Sequence, residues 1–125
     1  MKLTLENSTP VNLVRRYAVG AVWIGDVALT RPFLLAARTL VTDLRAASPS
    51  SIALEDLEPV FALAPEIVVL GWGGGQPYLP ARQRAWFLER RIAFEPMELS
   101  AACRTYNVLV QDERRAAALL FPAAD

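Results

Sequence analysis

Histidine is absent from this chain of 125 residues, and Cys103 is its only cysteine. The first absence removes the side chain most used as a general base near neutral pH. It also leaves zinc and non-haem iron sites short of their usual ligands, so neither a metal nor a cofactor is expected. A lone cysteine cannot close an internal disulfide, which suits a reducing compartment. Net charge is missing too, because thirteen Lys plus Arg balance thirteen Asp plus Glu. Chains that hold nucleic acid normally carry a basic excess, so no nucleic-acid partner is expected. No apolar run approaches the roughly 20 residues that span a bilayer, and no transmembrane segment is expected. The opening MKLTLENSTP has no basic end leading into an apolar stretch, so it does not read as a signal peptide. A soluble, cytoplasmic protein is the expectation.

Lysine is scarce as well: Lys2 is the only one, and the other twelve basic residues are arginines. Arginine suits planar contacts with carboxylates and phosphates better than a point charge does. Genomic base composition alone also produces such a bias. What the chain has in quantity is apolar surface, 54% of its residues in 13.8 kDa. One domain over residues 1–125 can then bury about two-thirds of its unfolded surface without staples.

The N-terminal part, Asn12 to Arg45, alternates short β-type runs with turn residues. Gly25-Asp26 separates AVWI (Ala21 to Ile24) from VALT (Val27 to Thr30), a two-residue hairpin signal. RTLVTDL (Arg38 to Leu44) reads as a further strand, and the region as an antiparallel meander. LEDLEPVFAL is helical in pattern, either starting near Pro59 or kinked there.

From Glu66 the pattern becomes βαβαβ. IVVLG is apolar on both faces, as a strand covered on each side must be. Pro80 to Arg91 reads as a helix, and IAFEPME as a strand that Pro96 sends to an edge or into a bulge. Ser100 can cap a helix over Ala101 to Gln111, and RRAAALLF (Arg114 to Phe121) is a further buried strand. The fold class is α/β bordering on α+β.

Wound at 100° per residue, Ala81, Ala85, Leu88 and Ile92 form a narrow stripe that reads as a core face. Trp86 and Phe87 fall off it, with Arg82 and Arg90 flanking Trp86. They either fold back over the core edge or form a docking surface. On the last helix Ala102, Cys103, Tyr106, Leu109 and Val110 share one face, opposite Arg104, Asn107 and Gln111. Cys103 reads as a small core residue.

Gly71, Gly73, Gly74 and Gly75 end the strand in a glycine-rich bend. A third dinucleotide-fingerprint glycine would fall at Gln76, and no Gly-Lys-Ser/Thr follows, so neither nucleotide motif is present. The bend reads first as a tight turn. The second reading is a small anion site. Loops after Gly71 and after Met97 emerge at one sheet edge, and Arg104 lies in the helix entered there.

IVVLGWGGG (Ile67 to Gly75), followed by RRIAFEPMELSAACRTYNVLVQDERRAAALL (Arg90 to Leu120), resembles a known family. It is the widespread bacterial and archaeal family of unknown function whose mitochondrial relatives are called NADH dehydrogenase (complex I) assembly factor 3. The likeness extends from Val14 to Phe121. It implies a compact three-layer β/β/α domain, with the N-terminal meander beside the βαβαβ unit. It implies that Cys103, Arg104, Tyr106 and Asn107 belong to a family signature. It also implies action by association with protein partners, since no reaction is established for the family. The chain departs from the family pattern at Trp72 and the glycine after Gly73, where threonine and a basic residue are usual. Arg91 stands at a helix-ending glycine and Pro96 at a strand valine, which predicts a distorted helix exit and strand.

Three functional readings follow. The first is a non-enzymatic, assembly-factor-like interaction module contacting protein partners through Trp72, Arg82, Trp86, Phe87 and Arg90. The alternative is a domain for a small molecule or anion, its pocket formed by Gly71, Trp72, Gly73, Gly74, Gly75, Gln76, Arg104 and Asn107. A histidine-free enzyme using Cys103 or Arg104 comes last.

Overall fold

Gly25 and Asp26 turn the chain as expected, in a computed structural model that describes residues 10–124. The reading of the first nine residues lies outside that range. Strand β2 (Ala21–Ile24) pairs antiparallel with β3 (Val27–Leu29), with Ile24 opposite Val27. Gly25 takes φ +59, the left-handed conformation that a two-residue hairpin turn requires. β1 (Val14–Ala18) pairs along the other side of β2 and completes a three-stranded meander.

The meander ends there, contrary to the sequence reading. β4 (Phe33–Ala36) and β5 (Thr39–Val41) leave it for a second sheet. All four residues of β4 are buried, so it needs cover on both faces, which a surface meander does not supply. The second sheet also holds β6 (Ile67–Trp72), β7 (Ala93–Glu98) and β8 (Ala116–Phe121), in the order β5-β4-β8-β6-β7.

The short helix α1 (Glu58–Ala62) precedes β6 and carries Pro59 in its first turn, where a missing N–H costs little. α2 (Ala81–Glu89) joins β6 to β7, and α3 (Leu99–Gln111) joins β7 to β8. β6, β7 and β8 are parallel, which is the expected βαβαβ unit. β7 lies on one side of β6 and β8 on the other. Right-handed crossovers then place the two connecting helices on opposite faces. Phe87 of α2 accordingly packs with Val68, Leu70 and Leu119, while Ala102 and Tyr106 of α3 pack with Val69 and Leu120.

β8 shows how one strand serves two cores. Ala117, Leu119 and Phe121 face the α1–α2 layer; Ala116, Ala118 and Leu120 face α3 and the inner side of the meander. Its six buried residues explain the unbroken apolar run.

Of the stripe assigned to the core of α2, Ile92 is buried, but the helix itself is turned about four-tenths of a turn from that reading. Phe87 is 2% exposed and Gln83 is also buried, whereas Ala81 is exposed and Leu88 is 76% exposed. Phe87 stacks on Phe94 at 4.2 Å and meets Phe61 edge-on at 5.7 Å. One large ring anchored between two others outweighs a stripe containing two alanines. Gln83 is tolerated inside because its Nε2 donates to the carbonyls of Ser50 and Ile52, at 3.1 and 2.8 Å.

The exit of α2 is regular, not distorted. Arg91 takes φ +58; its N–H donates to Leu88 O and that of Ile92 to Phe87 O, both at 3.0 Å. This pair of bonds is the Schellman closure, and Ile92 meets Phe87 in the same core. The left-handed conformation costs a residue with a Cβ about 1–2 kcal/mol, partly offset by its lower chain entropy when unfolded. Arg91→Gly is therefore expected to raise stability by about 0.5–1 kcal/mol, read as a higher urea midpoint at unchanged slope.

Pro96 does place β7 at an edge, but without a bulge or distortion: the ladder runs unbroken from Ile67 opposite Ala93 to Trp72 opposite Glu98. Ala93 donates its N–H toward β6, to Glu66 O. By alternation Pro96 then turns its backbone to the open edge, where a missing N–H leaves no ladder bond unmade. Ser100 does not cap α3; Glu98 holds that position and accepts a bond from Ser100 Oγ at 2.8 Å.

Candidate functional site

Two features bring the glycine bend and the start of α3 to a common rim. Parallel pairing sets Trp72 beside Glu98, so both strand ends emerge together. Because β7 and β8 flank β6, the strand order reverses at β6, and open α/β sheets hold ligands at the carboxyl side of such a point.

The glycines serve close approach there. A Cβ on Gly71 would sit 2.5 Å from that of Ala102, so α3 lies directly on the end of β6. Gly73 donates its N–H to Phe121 O at 2.8 Å, and a side chain on it would collide with Pro122 O. The crevice between β6 and β8 is thus closed by backbone. Trp72 folds over Gly74, its ring occupying the space a Cβ would need. The chain reads as a tight turn here, and its reason is packing.

Beside this turn lies an open recess of about 370 Å³. Its walls are Tyr17 to Gly20 from the β1–β2 turn, Trp72, Gly73 and Gly75, the start of α3 at Glu98 to Ser100, and the tail residues Pro122 and Ala124. The lining is largely apolar. Val19 at the hairpin tip is fully exposed above it, and Trp72 Nε1 is buried without a hydrogen-bond partner.

Of the expected pocket residues, Trp72, Gly73 and Gly75 line this recess; Gly71 is buried behind it, and Gly74 is exposed against the Trp72 ring. Gln76 is exposed on the loop beyond. Arg104 and Asn107 do not line it. Arg104 reaches the phenol of Tyr17, Nη1 to Oη at 2.9 Å. Asn107 turns inward: its Oδ1 accepts from Val14 N–H and its Nδ2 donates to Val14 O, both at 2.9 Å. This corrects the helical-wheel reading, which set Asn107 on the solvent face. The free backbone of the edge strand β1 supplies its partners. Tyr106 completes the strap by donating to Asn12 O at 2.8 Å. The CRTYN segment fastens residues 12–17 onto α3.

Cys103 within that segment is fully buried. Burial pushes its thiol up to about 12, with Arg104 opposing only weakly. Such a thiol is a core residue and a poor nucleophile. In the native protein it is expected to resist thiol-modifying reagents, reacting at the rate of unfolding. The same shift has a pH signature. Below about pH 9 both the folded and unfolded thiols are protonated; above it the unfolded chain loses its proton first. Stability is therefore expected to fall between about pH 9 and 12, and Cys103→Ala to flatten that decline.

Of the interaction residues expected on α2, Arg82 is exposed, while Trp86 is half-buried against the α1–α2 core. Arg90 lies over the Phe61 ring at 4.2 Å and bonds Trp86 O at 2.8 Å. Phe87, inside the core, is not available to a partner. Tyr17, Val19, Leu99 and Pro122 went unrecognised because they come from three distant segments, the first hairpin, the start of α3 and the C-terminal tail. The exposed apolar residue at position 19, beside the turn glycine Gly20, was the one local signal.

The profile of the family described as protein of unknown function (DUF498/DUF598) matches residues 14–121. The chain belongs to this family. A Danio rerio member of the curated proteins, NADH dehydrogenase (ubiquinone) 1 alpha subcomplex assembly factor 3, is 38% identical over 77 residues. That match takes in 60% of this chain and 44% of the fish protein, so the chain spans less than half the length of that relative. A solved Xanthomonas campestris protein is 28% identical with a TM-score of 0.86, over 99% of this chain and 94% of its own. One from Bordetella parapertussis is 29% identical with a TM-score of 0.84, over 92% and 98%. These likenesses bear out the family resemblance and the two-sheet α+β fold. Among the described residues, no helix is long and apolar enough to cross a membrane.

Proposed function

We propose that this DUF498/DUF598 domain is a non-enzymatic, assembly-factor-like module that holds a protein partner at the rim of the apolar recess. The observation that carries this reading is the exposed Val19 tip standing over an apolar floor of Trp72, Leu99 and Pro122. Apolar groups gathered from separate segments around a rigid turn are what a partner side chain can bury. The assembly-factor name of the Danio rerio relative supports the same class of action. The inert Cys103 and the absence of histidine weigh against chemistry in this chain.

Val19→Asp tests it, since the side chain is fully exposed and takes no part in the core. Tagged wild type and variant are to be recovered from the cells of origin, with bound proteins identified by mass spectrometry. A partner present on the wild type and missing from Val19→Asp is the expected outcome. The same partners on both would remove the rim as the contact, and none on either would remove the module reading.

A second reading, a small-molecule site in the same recess, is favoured by the unpartnered Trp72 Nε1 and by a volume within the range of ligand pockets. Saturable shifts of the Gly73 and Gly75 amides with a metabolite mixture, unaffected by Val19→Asp, would favour it over a protein contact.

A further inference from the structure

Eight of the twelve arginines have an identifiable partner: a carboxylate, a backbone carbonyl, the Tyr17 hydroxyl or an aromatic ring. Among the described residues, Arg31, Arg45, Arg82 and Arg91 have none. Two of those four are brought together. Arg31 and Arg45, from loops fourteen positions apart in sequence, line one recess of about 210 Å³ with the hydroxyl-bearing Thr30. Among the described residues, no aspartate or glutamate lines it.

The recess lies at the carboxyl end of β8, on the other side of the C-terminal tail from the apolar one. Phe121 and Ala123 line it, while Pro122 and Ala124 line its neighbour. Both arginines are held by their backbones. Pro32 restricts the residue before it to extended conformations, and Phe33 beyond is buried. Arg45 stands between Leu44 and Ala46, both buried. Two like charges on arginines that line one small space repel each other. An oxyanion between them turns that repulsion into two charge-assisted, planar hydrogen-bonding contacts. The backbone anchoring lowers the ordering cost of binding.

We infer that this recess is an oxyanion site, taking a carboxylate or phosphate group between Arg31 and Arg45 with Thr30 as a further donor. It replaces the anion site expected at Arg104 and Asn107, whose side chains are engaged by Tyr17 and Val14. It is separate from the apolar rim, so neither proposal depends on the other.

The test is to titrate ¹⁵N-labelled protein with inorganic phosphate, and separately with acetate, at constant ionic strength. The arginine Nε–H resonances are followed. Saturable shifts are expected at Arg31 and Arg45, with Arg82 and Arg91 as unpartnered controls that stay still. Arg45→Gln is expected to weaken the response at Arg31 by about tenfold or more, given that one of two charged contacts is lost. Both arginines are exposed, so the variant keeps its fold, which the remaining amide spectrum checks. Tighter binding of one anion names the group recognised. Equal shifts at all four arginines, shifts that never saturate, or an Arg31 response unchanged by Arg45→Gln would each overturn the site.

Discussion

Phe87→Ala is expected to lower the unfolding free energy by about 3–5 kcal/mol, and Leu88→Ala to change it by no more than about 0.5 kcal/mol. The two residues are neighbours in one helix, and the helical stripe alone ranks them the other way. Phe87 is 2% exposed and wedged between Phe94 and Phe61, so truncation removes both the transferred ring surface and two aromatic contacts. Leu88 is 76% exposed and has little surface to lose. Urea unfolding of both variants, followed by tryptophan fluorescence, decides the matter. Comparable losses would mean that α2 is rotated from the orientation described.

Asn107→Leu is the second large effect, at about 2–4 kcal/mol. Two hydrogen bonds to Val14 vanish at about 1 kcal/mol each, and the half-buried backbone groups they served lose their partners. Tyr106→Phe should cost less, about 1 kcal/mol, since only the bond to Asn12 O is lost. Native-state amide exchange gives the sharper readout. Val14 N–H donates to Asn107 alone among side chains, so its protection should collapse in Asn107→Leu while that of β8 changes only with global stability. Unchanged protection at Val14, with a stability loss under about 0.5 kcal/mol, would show that the strap holds nothing. The consequence reaches the candidate site. β1 carries Tyr17 and leads into the hairpin tip at Val19, so loosening the strap loosens one wall of the apolar recess.

These contacts give the CRTYN segment a physical role. Cys103, Tyr106 and Asn107 are spent on seating α3 and on fastening the first strand to it, and Arg104 reaches the same strand at Tyr17. Contacts of this kind hold a surface in position. The residues that face the outside world at the rim, Val19 and Trp72, lie beyond the CRTYN segment.

The order of elements was legible because it rests on local patterns. Gly25-Asp26 between two apolar runs demands a hairpin. The both-faced apolar runs ending in Trp72 and Phe121 demand covered strands, and Pro96 demands an edge or a bulge. Family likeness added the layering. The sequence by itself thus determined the hairpin, the βαβαβ unit, the burial of Cys103 and the joint rim of the Trp72 and Glu98 ends. Tertiary structure alone decided which face of α2 is inside, because Phe87 finds Phe61 and Phe94 from elsewhere in the chain. It alone sent β4 to the second sheet, where β8 could cover it, and turned Asn107 toward the open backbone of β1. It alone brought Arg31 beside Arg45. Periodicity states which residues share a side of one element; only contacts between distant elements state what that side meets.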